Sequence, residues 1–234
     1  MGKWKWHLLG ITAVTAICLG LFSPGKHVTP MPAATTPVRQ RQQEMPDKKV
    51  SLPWRQEDLG VEIEELVAYE GPFLEDGSYE PVSDAAAIML RNTGSRGISF
   101  CMVAVEMESR TLYFAVTWLP AGERALVLEH DGQVYTREAI AECRVVGIRW
   151  EEFESAPLQV TQLGEKELTV TNQSGQTLEN SCLRHKLYVS QGDYYLGGFS
   201  FCTYLPILQP GESCRIRPEN YGAETAKIVA KLKK

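Results

Sequence analysis

The sequence predicts an all-β protein made of two tandem β-sandwich domains, carried behind an N-terminal membrane segment and a disordered linker. Three observations predict it. The first is an internal repeat. Residues 86–130 and 166–217 each run through a β-rich stretch ending in asparagine (Asn92, Asn172), a turn containing glycine, and a cysteine about ten residues later (Cys101, Cys182). Each then continues through two strand-like runs, a Gly-Glu turn (Gly122-Glu123, Gly211-Glu212) and a closing pair of strands. The second is the period of the apolar residues. Leu112, Phe114, Val116 and Trp118 alternate with Thr111, Tyr113, Ala115 and Thr117, the two-residue period of a half-buried strand. The third is the lack of strong helical periodicity, which leaves one sheet to cover another.

In chain order, residues 1–25 read as a signal-anchor. Lys3 and Lys5 precede an uncharged stretch from Trp6 to Gly25. With Trp4 and Trp6 included, residues 4–22 approach the ~20 residues that cross a bilayer. Tryptophans beside lysines suit the headgroup region. The lysines favour a single pass with a cytoplasmic N-terminus and extracytoplasmic domains. Secretion after cleavage is the alternative, although no A-x-A-like site follows the apolar core. Residues 26–58 read as a linker. Ser23–Asp58 holds six of the chain's thirteen prolines: Pro24, Pro30, Pro32, Pro37, Pro46 and Pro53. Such a segment buries too little apolar surface to offset the entropy of ordering it. Leu52, Pro53 and Trp54 are expected to dock on the domain that follows.

The first sandwich is expected over residues 59–154. Gly71–Asp84 reads as a long loop, Asp131-Gly132 as a hairpin turn, Arg137–Glu142 as one helical turn, and Cys143–Trp150 as a closing strand. The second sandwich is expected over residues 155–234. Its strands are placed at Leu158–Leu163, Glu167–Thr171, Leu183–Ser190, Tyr194–Tyr204, Ser213–Arg217 and Thr225–Leu232. The C-terminal run is taken as a strand rather than an amphipathic helix.

Charge divides unevenly. Residues 59–154 carry seven Lys and Arg against eighteen Asp and Glu, while residues 155–234 carry nine against seven. An acidic surface repels phosphate backbones and argues against nucleic acid. The cysteines Cys101, Cys143, Cys182, Cys202 and Cys214 show no metal-ligand spacing. They are candidates for disulfides: Cys101 with Cys143, and Cys202 with either Cys182 or Cys214. Buried thiols without bridges are the competing reading. No nucleophile, zinc or nucleotide motif occurs, so no catalytic residue, metal or cofactor is assigned. The aromatic residues Trp118, Tyr188, Tyr194 and Tyr195 are candidates for a partner or glycan surface, because a tyrosine ring offers a flat face and a polar tip.

The motif Asn92-Thr93-Gly94 followed by Pro120-Ala121-Gly122-Glu123 returns as Asn172-Gln173-Ser174-Gly175 followed by Leu208-Gln209-Pro210-Gly211-Glu212. This pattern resembles the immunoglobulin-like β-sandwich modules, including the FxLYD-like type, of extracytoplasmic Gram-positive bacterial proteins. Neither copy contains the full FxLYD string. The resemblance implies displayed modules without enzymatic activity. The resulting expectation is a membrane-anchored, non-enzymatic protein displaying two modules for protein or cell-envelope interaction, with an envelope protein or a glycan as partner. A carbohydrate-binding module, or an enzyme with a dispersed site, is the alternative.

Overall fold

Folding begins before the expected end of the linker. The computed structural model describes residues 49–233. The expected membrane segment and the linker up to residue 48 lie outside the described residues. Strand β1 (Trp54–Gln56) pairs antiparallel with β2 (Val61–Pro72), and Leu52 and Trp54 pack on the main core. A single 3₁₀ turn, Glu57–Leu59, joins the two strands. The linker boundary expected at residue 58 therefore moves toward the N-terminus, because Trp54 gains more from burial than from solvation.

The rest of the first half comprises β3 (Pro81–Asn92), β4 (Ile98–Met107), β5 (Thr111–Leu119), β6 (Arg124–Leu128) and β7 (Ile140–Trp150). The second half comprises β8 (Leu158–Gly164), β9 (Glu167–Asn172), β10 (Ser181–Val189), β11 (Tyr194–Tyr204), β12 (Ser213–Ile216) and β13 (Ala226–Lys233). The first half forms the orders β2-β3-β6 and β5-β4-β7; the second forms β8-β9-β12 and β11-β10-β13. Strand for strand the two orders are the same. The helical turn expected at Arg137–Glu142 is absent, because Ile140 is drawn into β7 by pairing with Met107 and accepts a hydrogen bond from Val50. The loop expected at Gly71–Asp84 shrinks, since β2 and β3 remain paired out to Pro72 and Pro81.

One buried asparagine anchors each copy. Asn92 Nδ2 donates to the carbonyls of Arg96, Leu119 and Pro120 at 2.8, 3.1 and 3.1 Å. Asn172 Nδ2 donates to Gln176, Leu208 and Gln209 at 2.8, 3.0 and 3.2 Å. Each Oδ1 accepts a backbone N–H two residues on, from Gly94 or Ser174. The main chain repeats the match: Asn92 pairs with Glu123 N-to-O and with Gly122 O-to-N, as Asn172 does with Glu212 and Gly211. The short amide side chain thus ties the end of the second strand to the turn after the fourth. This explains why both copies carry asparagine ahead of a Gly-Glu turn.

The two copies do not form separate sandwiches. Edge strand β6 of the first pairs in parallel with β11 of the second, Ala125 opposite Tyr195 and Leu126 opposite Leu196. A seven-stranded sheet, β1-β2-β3-β6-β11-β10-β13, therefore crosses the boundary expected at residues 154/155. The largest core joins Ile63, Cys101, Val103 and Phe114 from the first copy to Cys182, Tyr195, Ala230 and Leu232 from the second. A smaller core, with Leu168, Val170, Leu178, Leu183 and Leu208, lies within the second copy. The described residues fall in one compact unit. The physical reason is the composition of β10: Leu183 faces the second copy's own core while Cys182 faces the shared one. A sheet apolar on both faces needs cover on both.

Candidate functional site

The residues singled out from sequence do not assemble into an aromatic platform. Trp118 is 7% exposed and Tyr195 3% exposed, both within the shared core. The Trp118 ring is covered by the Arg184 guanidinium, 4.6 Å from its centroid, and meets Phe153 at 4.9 Å. Tyr195 lies edge-on to Tyr188 at 5.6 Å, and burial raises its pKa. Tyr188 is half-buried, carries Lys227 Nζ 3.4 Å above its ring, and donates its hydroxyl to Asp193. Tyr194 is half-buried against the small cluster of Tyr69, Phe73 and Met89. Only Tyr194 and Tyr195 of these rings lie on β11, where Tyr195 enters the shared core and Tyr194 packs on the small cluster.

The cysteines are likewise scattered by register. Cys101 faces Val116 and Ile148, and Cys143 faces Val105; both are free thiols. Burial pushes each thiol up to about 12. Cys202 pairs across from Arg184 and Cys214 from Val170; these too are free thiols. Cys182 lies opposite Tyr204 and Leu232. The disulfides raised as candidates are therefore not formed.

What the fold does bring together is a seam of polar groups between the copies. Strand β11 leaves β6 after Leu196, turns at Gly197 (φ 80°), and crosses the flank of β5. At the crossing, a Cβ on Gly198 would lie 1.9 Å from the carbonyl oxygen of Ala115, so only glycine fits. Lys186, on β10, is wholly buried beneath this crossing. Its Nζ donates to Thr117 O at 3.0 Å, Gly198 O at 3.0 Å and Phe199 O at 2.7 Å. An ammonium has three N–H bonds to give, and all three are used. Burial pushes Lys186 down to about 7, with the charge of Glu75 opposing the shift. Glu75 reaches in from the β2–β3 loop, and its Oε1 accepts the N–H groups of Gly198 and Leu128 at 2.8 and 3.1 Å. Burial raises its pKa against those two hydrogen bonds. Arg124 adds a third tie, from β6 to Gly192 O and Asp193 O.

Beside the seam lies a cleft of about 370 Å³ lined by both copies. Ser99, Phe100, Thr117, Trp118 and Arg149 come from the first; Arg184, Phe199 and Ser200 come from the second; Glu151 comes from the connection between them. The Arg149 guanidinium lies 5.2 Å over Phe100. Arg184 Nη1 donates to Ser200 Oγ at 3.2 Å. Among the described residues neither arginine makes an ion pair. A neighbouring cleft shares Trp118, Glu151 and Arg184 and adds Glu152, Ser155 and Lys233.

The sequence reading missed Lys186, Glu75, Arg149 and Arg184. One signal was present: β10 reads Cys182-Leu-Arg-His-Lys-Leu, with charge on the face that alternates with Leu183. That face reads as solvated until the other copy is placed on it. Comparison with protein-family models, curated proteins and solved structures finds no match for this chain.

Proposed function

We propose that the protein is a membrane-anchored, non-enzymatic display protein, tethered through residues 4–22 and presenting its duplicated β-body outside the cytoplasm to a partner in the cell envelope. The observation that carries this reading is the use made of the buried titratable groups. Lys186 is spent on three carbonyls and Glu75 on two amides. Glu129, fully buried, accepts the N–H groups of Tyr113, Asp131 and Gln133. His185 Nε2 is engaged with Glu219 O, and its ring stacks on Phe201. A catalytic group must face its substrate at hydrogen-bonding distance. These groups instead hold strands, so chemistry goes into rigidity.

The strand order supports the immunoglobulin-like resemblance. In each copy the first, second and fifth strands form one sheet, and the fourth, third and sixth form the other. These correspond to strands A, B and E facing C′, C and F of an immunoglobulin-like sandwich. The glycan reading has less support, because Trp118 and Tyr195 are buried. Among the described residues no helix is long and apolar enough to span a membrane; the proposed anchor lies outside them.

The test is accessibility in intact cells. A tag after Lys234 is expected to be removed by an impermeant protease while the chain sediments with membranes. A tag protected until lysis would overturn the proposed location.

A further inference from the structure

We propose that the cleft at the seam is a carboxylate-binding site whose ligand is an acidic peptide segment of the partner protein, held by Arg149 and Arg184. This rests on the reading of the protein as a binding module. Both guanidinium groups line one cleft, each lies over an aromatic ring, and neither is neutralised by a carboxylate among the described residues. Among the described residues Arg149 joins Arg96, Arg110 and Arg137 as arginines of the acidic half outside the ion pairs, and of those four it alone lines this cleft. Elsewhere in that half Arg91 and Arg124 share Glu64, and Arg144 takes Glu106. Stacking occupies a face of the guanidinium and leaves its in-plane N–H groups for an acceptor. A carboxylate matches that fork with two parallel hydrogen bonds.

Ser200 supplies a further donor. Its Oγ accepts from Arg184 Nη1 at 3.2 Å, and its own proton can turn toward a ligand. Glu151 also lines the cleft. With two arginines it leaves a net single positive charge, which suits a monoanionic carboxylate better than a doubly charged phosphate. The Trp118 ring is covered by Arg184 and Phe153. A sugar therefore finds no open face on which to stack, and a glutamate or aspartate side chain fits the remaining donors. Because the cleft draws residues from both copies, it exists only when the seam is closed.

The experiment titrates the full-length chain with a hexaglutamate peptide at low salt, following tryptophan fluorescence. Hexaglutamine and oligogalacturonate serve as comparisons. Saturable binding of hexaglutamate alone is expected, weakened about tenfold or more by R149Q and by R184Q, and unchanged by R144Q outside the cleft. Arg184 packs on Trp118, so if R184Q does not fold, R149Q and R149E carry the test from an exposed position. Absent binding, or binding indifferent to R149Q and R149E, overturns the proposal. Equal or tighter binding of oligogalacturonate overturns the peptide assignment in favour of an acidic glycan. The protease result in cells and the peptide titration fail independently, so loss of one reading leaves the other standing or falling on its own data.

Discussion

The two copies share a skeleton and differ in what they do with their edges. Both close the turn after the fourth strand on a buried asparagine with three side-chain donations. The first copy then gives its fifth strand, β6, to the second copy, whereas the equivalent β12 ends its sheet. The first copy's third strand faces its own core with Cys101, Val103 and Val105. The second copy's third strand presents Cys182, Arg184 and Lys186 to its neighbour. A duplicated fold can thus keep its internal bracing while one copy turns a solvent face into an interface.

The glycine at the crossing offers the most severe way to break that comparison. Gly198→Ala sets a methyl group against Ala115 O, and a cost on the order of 4 kcal/mol or more is expected. Chemical denaturation monitored by tryptophan fluorescence and by far-ultraviolet dichroism would check it. The wild-type protein should unfold in one transition, because one sheet and one core span both copies. Two separated transitions in the wild type would show that the copies are independent.

Removing the shared brace comes next. Asn92→Ala and Asn172→Ala each remove the two amide N–H bonds shared among three carbonyls, of which Pro120 O, Leu208 O and Gln209 O keep a main-chain donor, with a cost of about 2 kcal/mol apiece. Equal losses in urea melts would sharpen the equivalence of the copies. A markedly smaller loss for Asn172→Ala would mean that the second copy leans on the first for its order.

Lys186 separates the copies by pH. Its folded value near 7 lies below the ordinary 10.5, so the unfolded chain binds the proton more tightly than the folded one. Stability from this residue therefore rises as pH increases from about 7 to 10.5. Lys186→Met should flatten that slope in thermal melts across the same range, and should lower stability at pH 7 by removing the Nζ donor from Thr117 O, Gly198 O and Phe199 O, of which Gly198 O keeps Thr117 Oγ1. An unchanged slope would place the titration elsewhere. The smallest effect concerns thiols: in the native protein Cys202 and Cys214, half-buried, should react with an alkylating reagent ahead of Cys101 and Cys143. Mass spectrometry after brief labelling would read the order.

Much of the fold was legible locally. Tyr194–Tyr204 is a strand at its expected bounds, and the C-terminal run is strand rather than helix. The asparagine and Gly-Glu turn signalled the repeat, since a side chain that bonds its own turn leaves a fixed spacing. The joining of the copies was not legible, because parallel pairing of β6 with β11 links residues about 70 apart. The cysteines misled for a related reason. Cys101 lies nine residues past Asn92 and Cys182 ten past Asn172. One extra residue in a strand reverses the face, so one thiol points into its own sandwich and the other into its neighbour's. The cleft arginines escaped notice because the ring against Arg184, Trp118, comes from the other copy, and the ring against Arg149, Phe100, from a strand about fifty residues away.

Among the described residues the outer flank of β12 pairs with no strand, whereas the equivalent flank of β6 takes β11. The counterpart of β11 in the first copy, β5, is not available for such a pairing. Tyr113 O already accepts from His130, Phe114 bridges Glu129, and Thr117 O holds Lys186. Nor does β5 carry a glycine pair with which to bend away from its host. The parallel pairing that fuses the halves is thus made once among the described residues, between β6 and β11.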